Sequence, residues 1–185
     1  MQDQLLGTTQ PVLSISLDPG ESVVAEVGEF AWMTDSIEMT VGEAPRLTVY
    51  TATDEPGVVA FASKRPGRIL SVDVGPGRED CLVRESSFLA CTPGVRVSPG
   101  EGCLALWRIC GSGRAWVELP GDAVRRELAT GQSLRAHPRH VGMIEATVAI
   151  QVAVVHGHDS RPCAVLSGPG AVWLQSMAQQ SEAGR

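Results

Sequence analysis

Four histidines are the side chains in this sequence with the clearest capacity for metal chemistry. His156 and His158 are separated by one residue, so in an extended strand both imidazole rings would lie on the same side. His137 and His140 are two further candidate ligands, because neutral imidazole binds most first-row transition metals. However, the chain continues with Arg161-Pro162-Cys163 and contains no later histidine. We therefore expect a hairpin loop that happens to contain two histidines, with no bound metal or other cofactor.

The cysteines do not form a recognisable ligand or disulfide pattern. The chain has five of them, an odd number, and no two are spaced as Cys-x-x-Cys. They are Cys81, Cys91, Cys103, Cys110 and Cys163. Most lie among apolar residues, so we expect small buried side chains in a reducing environment.

Two glycine pairs have the appearance of a nucleotide-binding loop but occur in the wrong context. Gly111-Ser112-Gly113 and Gly168-Pro169-Gly170 precede alternating, strand-like segments rather than helices. The helix amino terminus that would bind a phosphate is therefore missing. The sequence also lacks the Gly-x-Ser-x-Gly turn of a serine nucleophile. We predict no catalytic residue.

The charge of the chain argues against general binding to nucleic acids. The formal net charge is −6, and Lys64 is the only lysine. A local basic patch is still possible from four arginines, namely Arg125, Arg126, Arg135 and Arg139. We interpret these arginines as a solvated face, and we expect Glu21 and Glu29, which follow turns, to be solvated as well.

The composition favours β-structure. Aromatic residues make up 4% of the 185 residues, whereas there are 20 glycines and 12 prolines, so turns must be frequent and the core must consist mainly of aliphatic side chains. No apolar run reaches the ~20 residues that a membrane-spanning helix needs. The amino terminus also lacks the pattern of a signal peptide. We expect a soluble, cytoplasmic protein.

Glycine-rich segments recur along the chain and suggest an internal repeat. Gly170 and Gly113 are each followed three residues later by a tryptophan, Trp173 and Trp116, and the segment around Gly67 is a looser copy. The turns at Gly20 and Gly77 each precede an apolar patch, which begins at Phe30 in one case and at Phe88 in the other. The predicted turn and core positions are Gly20, Gly77, Gly111, Gly113, Trp116, Gly168, Gly170 and Trp173. We predict one domain over residues 12–176, with glycine-rich hairpins in three units (12–74, 75–119 and 120–176). Residues 1–11 and 177–185 are predicted to be flexible tails, although the first of these could add an edge strand.

Four of these segments, taken in order, carry a resemblance to a known family. They are Leu17-Asp18-Pro19-Gly20-Glu21-Ser22-Val23, Phe88-Leu89-Ala90, Gly111-Ser112-Gly113-Arg114-Ala115-Trp116 and Gly168-Pro169-Gly170-Ala171-Val172-Trp173-Leu174-Gln175. The chain resembles the altered inheritance of mitochondria 24 family, whose eukaryotic members have a role in mitochondrial biogenesis. The resemblance implies a fold like that of the tryptophan RNA-binding attenuation protein, a double-stranded β-helix or rolled β-sandwich with internal pseudosymmetry. It provides no catalytic residue.

Three classes of function follow from these observations. We favour a non-enzymatic β scaffold or binding protein that forms a homo-oligomer, because the distinctive residues specify turns and a core, and β-sheet edges are often covered by subunit association. A cupin-like metal-dependent enzyme that uses His156 and His158 is the first alternative. RNA binding, by analogy of fold alone, is the second.

Overall fold

The structure, a computed structural model, describes residues 1–42, 47–100, 104, 106–155 and 161–178. Among these residues the regular elements are nineteen β-strands and two short 3-10 turns, Glu85–Ser87 and Pro138–His140, so the predicted all-β class is confirmed. The strands are β1 (Gln2–Leu6), β2 (Val12–Leu17), β3 (Ser22–Glu26), β4 (Phe30–Met33), β5 (Ile37–Val41), β6 (Leu47–Ala52), β7 (Gly57–Ala62), β8 (Gly67–Val74), β9 (Cys81–Arg84), β10 (Phe88–Cys91), β11 (Val95–Pro99), β12 (Leu106–Gly111), β13 (Gly113–Pro120), β14 (Ala123–Leu128), β15 (Ser133–Ala136), β16 (Val141–Glu145), β17 (Ala149–Val155), β18 (Arg161–Ser167) and β19 (Gly170–Gln175).

The strands form where apolar residues alternate or run together. In β2 the side chains of Leu13, Ile15 and Leu17 are buried on one face, as expected for a strand with one covered side. In β13, by contrast, every residue from Ala115 to Pro120 is buried. A continuous buried run of this kind indicates that β13 is covered on both faces.

The strands are arranged in four sheets. Sheet A has the order β1-β2-β7-β4, and sheet B has the order β5-β6-β3-β10-β13-β8. Sheet C has the order β11-β12-β9-β16-β19-β14, and sheet D has the order β15-β18-β17. The central sheets B and C therefore each combine strands from two distant parts of the chain.

The chain repeats one pattern of pairing over three successive groups of six strands, here called strand sets: β2–β7, β8–β13 and β14–β19. In every strand set the first and third strands pair with the sixth, and the second and fourth strands pair with the fifth. The pairing of the third strand with the sixth contains a register shift in all three sets. Adjacent strand sets are joined because β3 pairs with β10 and β9 pairs with β16.

The glycine-rich turns differ from the prediction. We expected them to close hairpins, but each of them connects strands in different sheets: Gly20 links sheets A and B, Gly113 links C and B, and Gly170 links D and C. These three glycines have positive φ values of 79°, 144° and 134°. Positive φ suits an abrupt change of direction as well as it suits a hairpin, so the residue type did not distinguish the two. The hairpins within a sheet are instead β1–β2, β5–β6, β11–β12 and β17–β18.

Two further expectations are corrected by the pairing. Residues 2–6 are not a flexible tail but form β1, which pairs with β2, so the edge-strand alternative was the right one. Gly67 is not the first copy of the glycine motif. It begins β8, the first strand of the second set, and pairs with Pro120, whereas Gly113 and Gly170 each begin the sixth strand of a set. The position equivalent to Gly113 and Gly170 is occupied by Gly57, which begins β7 and pairs with the last residue of β2.

The described part of the chain has a core of three clusters, each shared between neighbouring strand sets. The first cluster contains Leu13 and Phe61 together with Trp116 from the second strand set. The second contains Phe88 and receives Met143 from the third strand set, and the remaining cluster lies mainly within the third set. Because neighbouring sets share buried side chains, each set contributes to the stability of the next.

Candidate functional site

The histidines that the sequence singled out make backbone contacts where the structure describes them. The backbone N–H of Arg139 donates to His137 Nδ1 at 3.2 Å, and His140 Nδ1 lies 2.8 Å from the carbonyl oxygen of Gln175. Both rings therefore stabilise the 3-10 turn between β15 and β16. Within the described part of the chain, no group of three or more metal-ligating side chains comes together. His156 and His158 lie outside the described residues.

The cysteines are free where they are described, and two of them are buried as expected. Burial raises the pKa of both Cys81 and Cys91 to about 12, so these thiols are protonated at neutral pH. Cys110 and Cys163 are half-buried. A protonated, buried thiol is a poor nucleophile.

A buried group of charges, which the sequence analysis missed, lies between sheets A and B. Lys64 Nζ is 2.8 Å from Glu26 Oε2 and 2.8 Å from Glu29 Oε1. Glu29 is 5% exposed and Glu26 1%, so the expectation that Glu29 is solvated was wrong. Lys64 is distant in sequence from the two glutamates that it contacts, and each carboxylate taken alone resembles an ordinary surface residue.

Glu118 extends this group along β13. Its Oε2 accepts hydrogen bonds from Ser63 Oγ and from the backbone N–H of Lys64, both at 2.9 Å. Burial raises the pKa of Glu118, and these hydrogen bonds offset only part of that effect. Burial tends to lower the pKa of Lys64, but Glu26 and Glu29 outweigh it, so the pKa is raised overall. A lysine held as the ammonium ion links the two sheets and is not a nucleophile.

An unpaired sheet edge is the second feature that the sequence did not reveal. β4 is the outer strand of sheet A, and no described strand pairs with its free edge. It exposes 37% of Phe30 and 48% of Trp32, although the Phe30 ring stacks on buried Tyr50 with centroids 5.8 Å apart. In sheet D, β15 is an outer strand. Exposed apolar edge strands of this kind are surfaces for strand pairing.

The predicted turn and core residues occupy distinct places. Trp116 is fully buried, whereas Trp173 is partly buried under Arg125, whose Cζ lies 5.2 Å from the centre of the ring. Gly111 and Gly168 each precede, by two residues, the glycine that begins a sixth strand. Gly77 lies in the turn between β8 and β9, where its φ is 77°.

The arginines of the predicted basic patch do not share one face. Arg125 and Arg126 are consecutive in β14, so their side chains point to opposite sides of sheet C. Arg125 also pairs with Glu127 at 2.6 Å. Arg135 lies in β15 and Arg139 in the following 3-10 turn.

The fold and these surfaces define an all-β protein whose distinctive residues form sheet crossings, shared cores and strand edges. Residues 4–177 match the profile of the family described as Mitochondrial biogenesis AIM24. The chain therefore belongs to this family, as the sequence resemblance indicated. A comparison with curated proteins finds no match.

The fold is shared with a solved bacterial structure. The X-ray crystal structure of a structural-genomics target from Streptococcus pyogenes is similar to this chain with a TM-score of 0.80, over 96% of this chain and 94% of that chain. The two sequences are 17% identical, so the likeness concerns the fold alone. None of the helical segments among the described residues is long and apolar enough to cross a membrane.

Proposed function

We propose that this protein is a non-enzymatic β scaffold that assembles head to tail with further copies of itself. In this proposal the three strand sets are repeat units of a rolled β-sandwich, with bounds of 12–62, 67–120 and 123–175. The free β4 edge of one copy pairs with the free β15 edge of the next. The observation that carries the proposal is that the chain already makes this kind of junction twice within itself.

The two internal junctions follow one rule. The second strand of one set pairs with the third strand of the following set, as β3 does with β10 and β9 with β16. Applied once more, the rule pairs β15 with a third strand from a fourth set. The third strand without such a partner among the described residues is β4, at the opposite end of the chain. Sheet D would gain the strands of sheet A and become a sheet like B and C.

The exposure of equivalent residues supports the same pairing. The first residue of the third strand is fully buried in the second and third sets, where it is Phe88 or Val141, but it is 37% exposed in the first set, where it is Phe30. Trp32, which is 48% exposed, corresponds to the fully buried Ala90 of the second set. The first set therefore exposes apolar side chains at the positions that the other junctions cover.

The register of the proposed junction follows from the existing ones. Cys91 lies opposite Val24, and Ile144 lies opposite Leu82. Val24 and Leu82 each lie six residues before the first residue of the third strand in their own set, and the residue at this position in the third set is Arg135. The third-strand equivalent of Cys91 and Ile144 is Met33, so Met33 and Arg135 should face each other across the interface. Because the two surfaces differ, the contact is heterologous, and repeated association gives a ring if the rotation closes.

The register can be tested by disulfide cross-linking between two single variants. Paired residues of adjacent strands lie close enough for a disulfide, so a mixture of Met33→Cys and Arg135→Cys chains should form a covalent dimer under mild oxidation. Neither variant alone should do so. A mixture of Met39→Cys and Arg135→Cys is the matched control, because Met39 is also exposed on an outer strand but belongs to β5. Equal yields from the two mixtures would contradict the proposed register.

A double variant distinguishes assembly from closure within one chain. If Met33→Cys and Arg135→Cys in the same chain formed an internal disulfide without a dimer, the two edges would meet intramolecularly and the proposed assembly would be wrong. Sedimentation velocity gives independent evidence: wild-type protein should form oligomers, Trp32→Glu should shift them to monomer, and Met39→Glu should not. A wild-type protein that stays monomeric at high micromolar concentration would also refute the proposal.

A further inference from the structure

Two tryptophans at equivalent positions are covered in different ways. Trp116 lies three residues after Gly113, and Trp173 lies three residues after Gly170, in the sixth strands of their sets. Trp116 is 1% exposed, whereas Trp173 is only partly buried. The difference has a local cause, because an additional strand covers the first tryptophan.

That additional strand is β1, which extends sheet A by pairing with the outer side of β2. Asp3 lies opposite Ile15 in this pairing and points toward the neighbouring sheet. Asp3 Oδ2 accepts a hydrogen bond from Trp116 Nε1 at 3.1 Å, and Asp3 Oδ1 accepts one from Arg114 Nη1 at 2.9 Å. An added strand thus contacts the tryptophan of the next strand set through one side chain.

The equivalent position beside Trp173 is an open groove. The strand that corresponds to β2 is β8, the first strand of the second set. Leu17 of β2 pairs with Gly57, and Val74 of β8 pairs with Gly113, so Leu17 and Val74 are equivalent. Ile15 and Val72 lie two residues before them and are therefore equivalent as well. β8 is the outer strand of sheet B, with no described strand on its free side. A groove of about 430 Å³ runs along Ile69–Asp73 and is closed on its other side by Trp173 and Arg125. No described residue accepts a hydrogen bond from the indole N–H of Trp173.

We propose that this groove binds an extended segment of a partner protein, which adds to β8 as an antiparallel strand, as β1 adds to β2. The backbone of the segment would pair with β8, and one of its side chains, opposite Val72, would accept a hydrogen bond from Trp173 Nε1. Strand addition of this kind takes affinity from the main chain and specificity from alternate side chains. The surface is separate from the β4 and β15 edges, so the inference does not depend on the proposed assembly.

The chemistry of the groove defines the segment further. Three carboxylates and two guanidinium groups line it, so the charges nearly balance: Asp73, Glu79, Glu145, Arg78 and Arg125. The net charge of the groove therefore favours neither an acidic nor a neutral segment strongly. The indole N–H requires an acceptor, which either a carboxylate or a side-chain amide oxygen provides.

A labelled peptide with the sequence of residues 1–7 is a suitable probe, because it reproduces the strand that fills the equivalent site. Fluorescence anisotropy with the full-length protein should give saturable binding. Trp173→Phe keeps an aromatic ring beneath Arg125 but removes the indole N–H. It should weaken binding about tenfold, because the loss of one hydrogen bond of ~1.4 kcal/mol corresponds to a factor of ten in Kd. Trp107→Phe, a change in a half-buried tryptophan of β12, should leave affinity unchanged.

Two peptide variants test the need for an acceptor. Replacing the aspartate of the peptide by asparagine should change affinity less than threefold, whereas leucine should weaken binding about tenfold, because the indole N–H then loses its partner. Equal affinity of the leucine peptide, or no binding of any peptide at millimolar concentration, would overturn the inference.

Hydrogen exchange locates the bound peptide. Bound at the groove, it should slow exchange in Gly67–Val74. Protection confined to Val12–Leu17 would mean that the peptide has only exchanged with β1 of the protein, and the inference would be wrong. A protein that failed to oligomerise but still bound the peptide at β8 would refute the proposed assembly and leave this site intact.

Discussion

Replacement of Lys64 by methionine tests whether the buried charge group between sheets A and B stabilises the fold. The variant keeps a side chain of similar length but removes the ammonium ion that lies 2.8 Å from both Glu26 and Glu29. The two carboxylates stay almost fully buried, so the variant has to keep negative charge in the interior without its lysine partner.

The expected loss follows from burial. Breaking a buried ion pair by removing one partner costs about 3–5 kcal/mol. The Lys64 side chain is 31% exposed, which screens part of the interaction, so we expect a loss of about 2–3 kcal/mol. For a protein of this size that loss corresponds to a fall of roughly 5–10 °C in Tm. The pKa of Lys64 is raised from its ordinary value of 10.5, so its stabilisation is complete at neutral pH and is lost only as the pH rises through the raised value.

Urea denaturation at pH 7 measures this loss, with Arg68→Gln as the matched control. Arg68 pairs with Asp122 at 3.3 Å, but both side chains are more than half exposed, so its removal should cost less than about 0.5 kcal/mol. A loss no larger than that of Arg68→Gln would refute the reasoning.

Three further outcomes follow from the same physical reasoning. The Glu118→Gln variant should gain stability relative to wild type as the pH rises above 4.5, because the raised pKa of Glu118 makes its ionised form unfavourable in the folded state. Urea denaturation at pH 4 and at pH 7 measures the difference in unfolding free energy between the two proteins. A difference that does not change with pH would contradict the raised pKa. The Gly113→Ala variant should lose about 3 kcal/mol of unfolding free energy, because φ at this position is 144° and the new methyl group would collide with Thr92 Oγ1. The Gly20→Ala variant should lose about 1 kcal/mol, because φ is 79° but the space around the new methyl group is open. Equal losses in urea denaturation would argue against the collision. Alkylation at pH 8, followed by mass spectrometry, should label Cys110 and Cys163 before Cys81 and Cys91, whose pKa values are about 12; early labelling of the buried pair in folded protein would contradict those values.

The strand content could be predicted from the sequence, but the way the strands are joined could not. Alternating apolar residues and turn glycines are local signals, and they correctly indicated β-structure and the burial of Trp116. A glycine with positive φ serves a hairpin and a sheet crossing equally well. The role of Gly20 and Gly113 as crossings therefore became visible only from the pairing of strands far apart in the chain.

The candidate surfaces were hidden for a related reason. Glu29 follows a turn and resembles a solvated carboxylate, and its burial depends on Lys64, thirty-five residues later. The apolar segment Phe30–Met33 has the composition of a buried strand, yet it lies at an edge. Equivalent segments in the other strand sets are buried by a neighbouring set. The residues of Phe30–Met33 do not by themselves indicate whether such a neighbouring set is present.

The shared sheets also constrain the order in which the chain can fold as it is synthesised from its amino end. β3, β5 and β6 are complete by residue 52, but the strand that covers the free side of β3 is β10, which ends at residue 91. Until then the first part of the chain holds a sheet of three strands with an open apolar edge. The same delay recurs when β9 waits for β16. Folding must therefore lag synthesis by about one strand set, and during that interval each new edge is exposed to the wrong partner.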